Sequence, residues 1–375
     1  MSEVAKLLKT FEDIATNPGR QLGKMVAMER KVVGCLPPFT PEELVVAAGM
    51  IPFGIWGAER EIAEAKKYFP SFYCSLAQTS LEMGLRGELD QLSAVLIPIA
   101  CDTLKCLGQN WKVGVPQVPF IQVSHPQNVM TSAGTLYLKK IYGRIAERLG
   151  EISGQCVSEA TLRSAITIYN EHRDAMRTFS KVAAAHPELV SPYQRSCVFK
   201  SAFFSEKSVH CEMVQVLIAE LEKQPPASWP GKKIVLTGVI ADSPELLKIV
   251  ASNGLAVVAD ELLHESRQYM HDAPMGGDPF DALARQYTSM KGCSLLADPH
   301  KTRGPLLVEM ARQANAGGVL HVSTKFCDPY EFDYPLIKRD LEQAGIPVLN
   351  IEFDQQMQSF EQVRTAVQTF SSMLA

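Results

Sequence analysis

The sequence is short of several features that define large protein classes. No uninterrupted apolar run reaches the roughly 20 residues that a membrane-spanning helix needs, so no bilayer partner is expected. The opening Met1-Ser2-Glu3-Val4-Ala5-Lys6 has no signal-peptide core, and a cytoplasmic location is expected. Lysine and arginine are scattered, there is no basic tail, and the net charge is −4, which argues against a nucleic-acid partner. No G-x4-G-K-[ST] loop is present, so the chain is not expected to hydrolyse ATP itself. No G-x-S-x-G elbow is found. His264-Glu265 lacks the second histidine of a metalloprotease helix, and Met275-Gly276-Gly277-Asp278 has too few glycines for a dinucleotide fingerprint and reads as a surface turn. There is no Cys-x2-Cys ladder of the ferredoxin kind.

What remains is an ordinary globular composition: 375 residues, 46% hydrophobic and 21% charged, enough for two domains with sizeable cores. The first stretch carries a helical pattern at Val4, Leu7, Leu8, Phe11, Ile14 and Ala15. A short strand is expected at Lys31–Cys35. A helix follows over 41–49, with Thr40 as N-cap and Pro41 at the first helical position. Met50–Ile55 reads as a second strand, and Ile62, Ala65 and Phe69 as a helix face. Ala94–Ile99 and Pro119–Val123 are further apolar runs of strand length. Alternation of this kind implies a parallel sheet with helices on both faces. Residues 134–222 instead carry long helical patterns, such as Leu138, Ile141, Tyr142, Ile145 and Leu149. Tyr169 and Phe179 are expected in the core there. The alternation returns with strands at Ile234–Val239, at Leu255–Ala259 ending on Asp260-Glu261, at Gly318–Ser323 and at Ile346–Glu352. Asp242-Ser243-Pro244-Glu245 is a strong helix start.

The expected fold is therefore α/β, with two flavodoxin- or Rossmann-like parallel-sheet domains joined by a helical connector. The expected boundaries are 1–133 for the N-terminal α/β domain with its leading helix, 134–227 for the connector and 228–375 for the C-terminal α/β domain. The linker is expected within Gln224–Gly231.

In open α/β sheets, ligands gather beyond the carboxyl ends of the strands. Of the nine cysteines, three fit that rule. Cys101 directly follows the apolar strand ending at Ala100. Cys327 follows the strand ending near Ser323. Cys74 lies in the connection before the strand that delivers Cys101. Cys106 makes a Cys101-x4-Cys106 pair. Cys101-Asp102-Thr103 and Cys327-Asp328-Pro329 share a Cys-Asp shape, and a helix N-terminus there would favour a thiolate. By spacing alone, buried structural thiols remain the default reading. His125 and His321, near strand ends, read as structural.

Several stretches together carry a resemblance: Gly49-Met50-Ile51-Pro52-Phe53-Gly54-Ile55-Trp56-Gly57, Cys101 to Trp111, His125-Pro126-Gln127-Asn128, and Leu236 to Asp242. Gly292-Cys293-Ser294-Leu295, Lys325-Phe326-Cys327-Asp328-Pro329 and Phe353-Asp354-Gln355-Gln356 complete the set. Nearly end to end, the sequence resembles the smaller (β) subunit of (R)-2-hydroxyacyl-CoA dehydratases, within the wider 2-hydroxyglutaryl-CoA dehydratase and benzoyl-CoA reductase group. The resemblance implies a hydro-lyase active only as a heterodimer with an α subunit that binds most of the 2-hydroxyacyl-CoA. It also implies an ATP-dependent iron–sulfur activator as a transient partner. It further implies a [4Fe-4S] cluster on this chain, held by Cys74, Cys101 and Cys327, with Cys106 in reserve for Cys101. That cluster would relay an electron for a ketyl-radical dehydration. A flavin, FMN or riboflavin, in the holoenzyme is left open. No catalytic side chain is assigned to this chain. The leading substrate expectation is 2-hydroxyglutaryl-CoA giving glutaconyl-CoA and water. Alternatives are an isocaproyl- or phenyllactyl-type enzyme, a benzoyl-CoA-reductase-like subunit, or a non-enzymatic α/β binding protein.

Overall fold

A computed structural model describes residues 2–37, 39–225 and 229–374. The middle of the expected linker, Pro226-Ala227-Ser228, and with it the expected boundary at 227/228, lies outside the described residues. The chain begins with α1 (Glu3–Thr16) and α2 (Pro18–Val26). The first sheet region runs β1 (Val32–Cys35), α3 (Glu42–Ala47), β2 (Ile51–Gly54), α4 (Ser75–Leu85), β3 (Ala94–Pro98), α5 (Asp102–Gly114) and β4 (Phe120–Val123). Four helices follow: α6 (Ser132–Ser153), α7 (Glu159–Ala185), α8 (Pro192–Ser201) and α9 (Lys207–Glu222). The second sheet region begins with β5 (Lys232–Gly238), α10 (Pro244–Ser252), β6 (Leu255–Leu262), α11 (Ser266–Tyr269) and α12 (Pro279–Thr288). It ends with α13 (Arg303–Gln313), β7 (Gly318–Thr324), α14 (Asp328–Gln343), β8 (Val348–Phe353) and α15 (Glu361–Met373).

Both sheets are wholly parallel and share one strand order, β2-β1-β3-β4 and β6-β5-β7-β8. This is the opening of a flavodoxin-like doubly wound sheet, so the α/β expectation with a helical connector holds. The reason is visible in β3 and β7, where every residue is buried, as strands covered by helices on both faces require. In each sheet the order reverses between the first and third strands, β1/β3 and β5/β7. A crevice opens at the carboxyl ends of such a pair.

Helix α7 starts at a capping box, Ser158 with Thr161, and buries Leu162, Ile166, Tyr169, Met176 and Phe179 on one face. The leading helix α1 lays Val4, Leu8 and Phe11 into the same cluster as Met176, Phe179, Phe199 and Leu217. It thus packs on the connector helices. A separate apolar cluster runs through both sheets, from Ile51, Phe53 and Leu81 to Leu236, Leu320 and Phe353.

Three local expectations are corrected. Thr40 does not cap the third helix; its hydroxyl donates back to the Leu36 carbonyl, and the helix spans only Glu42–Ala47 behind Pro41. Ile62, Ala65 and Phe69 are buried but form no α-helix. Only a 3-10 turn at Ala65–Lys67 exists, the Ala65 amide being taken by the Glu82 carboxylate and Pro70 disfavouring helical geometry at Phe69. Strand β6 does not stop at Asp260-Glu261 but continues through Leu262, burying both carboxylates.

Candidate functional site

Each of the three candidate cysteines occupies the same local position, the N-cap of a helix. Cys74 caps α4, Cys101 caps α5 and Cys327 caps α14. The two sheets deliver the latter pair alike. Cys101 comes three residues after β3 and Cys327 three residues after β7, the third strand of each sheet, and an aspartate follows each as the first helical residue. Phe326, just before Cys327, holds φ +63, a left-handed conformation that a bulky non-glycine residue rarely adopts. Observed strain of this kind concentrates where neighbouring structure over-determines a functional position.

The three thiols lie within electrostatic range of one another, Cys101 acting on Cys74 and both acting on Cys327. Burial pushes the Cys74 thiol up to about 12, with the backbone amides of Ala77 and Leu76 pulling the other way and Cys101 adding to the rise. Cys101 is raised mainly by burial, opposed by the amides of Leu104 and Thr103. Cys327 is raised by burial, then by Cys74, with Cys101 also adding and the Tyr330 amide opposing. Each thiol therefore lies at the amide end of a helix, and Cys74 and Cys327 each feel another of the three. The metal-free form is a set of neutral thiols, because charge there is poorly hydrated. Among the described residues no three His, Cys, Asp or Glu side chains lie close enough to share one metal ion.

Cys106 is placed differently. It lies inside α5, and its sulfur meets the Tyr73 hydroxyl at 3.4 Å. His125 stacks on Tyr287 at 4.4 Å between ring centroids and His321 is fully buried, its Nδ1 against Asn350 Oδ1 at 2.8 Å. Buried His264 and Glu265 are followed by Arg267, and Met275–Gly277 forms the expected exposed turn ahead of Asp278, which caps α12.

Two features near the site escape a reading of the sequence. Glu261 is shared by two buried guanidiniums. Arg303 donates to it from Nε at 3.0 Å and from Nη2 at 2.7 Å, and Arg267 from Nε at 2.5 Å. Arg303 also lies over the Tyr330 ring at 4.0 Å, and Tyr330 stands in the first turn behind Cys327. Charged residues in an apolar strand were the available signal, but their partners lie 6 and 42 residues away. The second feature is Gln355, beyond β8, whose hydrogen bonds cross to the first sheet region. A small cavity of about 100 Å3 also opens between α3, α7 and α12, but its charged lining is already paired, Arg173 with Glu43 and Lys207 with Glu42.

The family described as 2-hydroxyglutaryl-CoA dehydratase, D-component, matches residues 37–374. The chain belongs to this family. Membership agrees with the resemblance drawn from the Cys-Asp stretches. Within the family it is 46% identical over 375 residues, the full length of both chains, to the (R)-phenyllactyl-CoA dehydratase beta subunit of Clostridium sporogenes. It is 41% identical over 377 residues, again all of both chains, to the lactoyl-CoA dehydratase subunit beta of Anaerotignum propionicum. With the (R)-2-hydroxyglutaryl-CoA dehydratase subunit beta of Acidaminococcus fermentans it shares 37% over 377 residues, 99% of this chain and all of the other.

Proposed function

We propose that this chain is the β subunit of an (R)-2-hydroxyacyl-CoA dehydratase and that Cys74, Cys101 and Cys327 hold a [4Fe-4S] cluster. The observation that supports the reading is that all three cysteines stand at helix N-caps, Cys101 and Cys327 at matching positions after the third strand of each sheet. The donor set fits the group in kind, since iron–sulfur clusters take cysteine thiolates. When bound, such a cluster supplies one-electron transfer at a potential tuned by its surroundings. The chain's own residues do the rest. The amides of Ala77, Leu104 and Tyr330 stabilise the sulfur charge that ligation requires. Loading must expel thiol protons, since burial keeps the metal-free thiols neutral. Cys327 packs against the apolar cluster that includes Ala100 and Leu296, which lowers the local dielectric around its sulfur.

The partner is an α subunit carrying the 2-hydroxyacyl-CoA, and an ATP-dependent iron–sulfur activator supplies the electron. No nucleotide loop in this chain competes for that role. Among substrates, (R)-phenyllactyl-CoA moves ahead of 2-hydroxyglutaryl-CoA, because the phenyllactyl relative shares more of this sequence.

The test is anaerobic purification of the complex, with iron and sulfide analysis and a visible spectrum. Cys74→Ala, Cys101→Ala and Cys327→Ala should lose this chain's share of about four irons, and Cys106→Ala should keep it. A colourless, iron-free complex would sink the reading. Acid release from the same samples checks for FMN or riboflavin. Turnover of phenyllactyl-, lactoyl- and 2-hydroxyglutaryl-CoA ranks the substrates.

A further inference from the structure

We infer that Gln355 is a positioning residue that locks the second sheet region to the first so that Cys74 and Cys327 hold one fixed separation. The inference rests on the reading of Cys74, Cys101 and Cys327 as ligands. A site built from two sheets needs more than correct local structure around each cysteine. It needs the two halves to be held in one register, and a rigid-body slip of about 1 Å is enough to spoil a ligand set.

Gln355 is almost fully buried, and both its backbone groups and both ends of its side-chain amide are engaged. Its backbone N–H donates to Ser75 Oγ at 3.1 Å, and its carbonyl accepts from the Arg60 amide at 3.2 Å. Its side-chain Oε1 accepts from Thr79 Oγ1 at 2.5 Å, and Nε2 donates to the Trp56 carbonyl at 3.2 Å. All four partners belong to the first sheet region. Two of them, Ser75 and Thr79, lie in the first two turns of α4, the helix that Cys74 caps.

The other side of the link is equally short. Phe353, two residues before Gln355, ends β8, and its carbonyl accepts the Lys325 amide at 2.9 Å. Lys325 stands two residues before Cys327. The path from one ligand to the other is Cys74–Ser75, a hydrogen bond, Gln355–Asp354–Phe353, a hydrogen bond, and Lys325–Phe326–Cys327. Only two hydrogen bonds interrupt it. Gly57 shows how closely the contact is fitted. At φ +79, a Cβ there would fall 1.9 Å from Thr79 Oγ1 and 2.7 Å from Gln355 Oε1. Trp56, which receives the Gln355 amide, also donates through Nε1 to Asp242 at 3.2 Å, so with the Arg60 amide the loop after β2 is tied to the second sheet region three times.

The experiment uses the two-subunit complex, purified anaerobically, with Gln355→Ala, Gln355→Glu and Ser75→Ala in this chain. Leu307→Ala serves as a control, since it opens the separate cluster under β5 and β7. Two quantities are read beside the melting temperature: the rate at which iron passes to a ferrous chelator, and hydrogen exchange of segments 72–76 and 325–330. Removing a partner that orients metal ligands typically weakens binding 10- to 100-fold. Gln355→Ala is therefore expected to release iron about tenfold faster or more, with Gln355→Glu between it and wild type. Both segments should exchange faster together, and Leu307→Ala at equal loss of melting temperature should leave both quantities near wild type. Iron release from Gln355→Ala no faster than from Leu307→Ala, with unchanged exchange, overturns the inference. If the wild type carries no iron but exchange still rises in both segments, the latch stands and the ligand reading fails.

Discussion

Replacing Glu261 with glutamine removes the one carboxylate that two buried guanidiniums share. Glu261, Arg267 and Arg303 are all nearly inaccessible, so solvent cannot take over the missing charge. With charge centres about 4 Å apart and an effective dielectric near 20, each pairing is worth about 4 kcal/mol. The repulsion between the two guanidiniums is present with or without Glu261 and cancels in the comparison, so the gross attraction lost is about 8 kcal/mol. Relaxation and water entry reduce that upper bound, and breaking a buried pair by deleting one partner costs about 3–5 kcal/mol in comparable sites. Glutamine must turn its NH2 toward one of the two guanidiniums, so the variant cannot rebuild both contacts. At about 2 °C per kcal/mol for a chain of this size, the melting temperature should fall by about 6–10 °C. The assay is thermal unfolding at neutral pH, followed by circular dichroism. Adding Arg267→Met should restore part of the loss, because it removes the uncompensated charge. A fall of less than about 2 °C for Glu261→Gln would refute the reasoning, since it would mean that the triad is hydrated or otherwise neutralised.

Gly57→Ala should destabilise by at least the roughly 1–2 kcal/mol of a left-handed alanine, and more through the clash with Thr79 and Gln355, measured as a lower urea midpoint. Acid should destabilise the protein well above the carboxylate range. Burial holds His210 down to about 3 and His264 and His321 to about 4, so the folded state stays neutral while the unfolded chain takes up protons. Depressed values mean that this stability is present above about pH 6.5 and is lost as pH falls toward 4, at about 2 kcal/mol per histidine by pH 5. A melting temperature that stays level between pH 7.5 and 5 would contradict it. In iron analysis, Cys106→Ala should differ from Cys101→Ala although the two lie in one helical segment, because Cys106 faces Tyr73.

Much of this protein can be read from its order of residues. Apolar runs such as Ala94–Pro98 and Gly318–Thr324 can only be strands covered on both faces, and the helices between them force parallel pairing. Cys101 and Cys327 stand out because strand ends and helix starts are local events, written within a few residues. The same locality explains the failures. Thr40 is a good N-cap in isolation, yet its hydroxyl turns to Leu36, and the face of Ile62, Ala65 and Phe69 is buried without a helix because Glu82 takes the Ala65 amide. What only the tertiary structure decided is which distant groups meet. Glu261 with Arg303 and Gln355 with Ser75 are separated by 42 and 280 residues. No local pattern encodes such pairings, because they follow from two sheets docking on one core. Sequence alone determined most of the elements and placed Cys101 and Cys327 beyond strand ends; the packing of the two sheets decided the cross-region pairings such as Gln355 with Ser75.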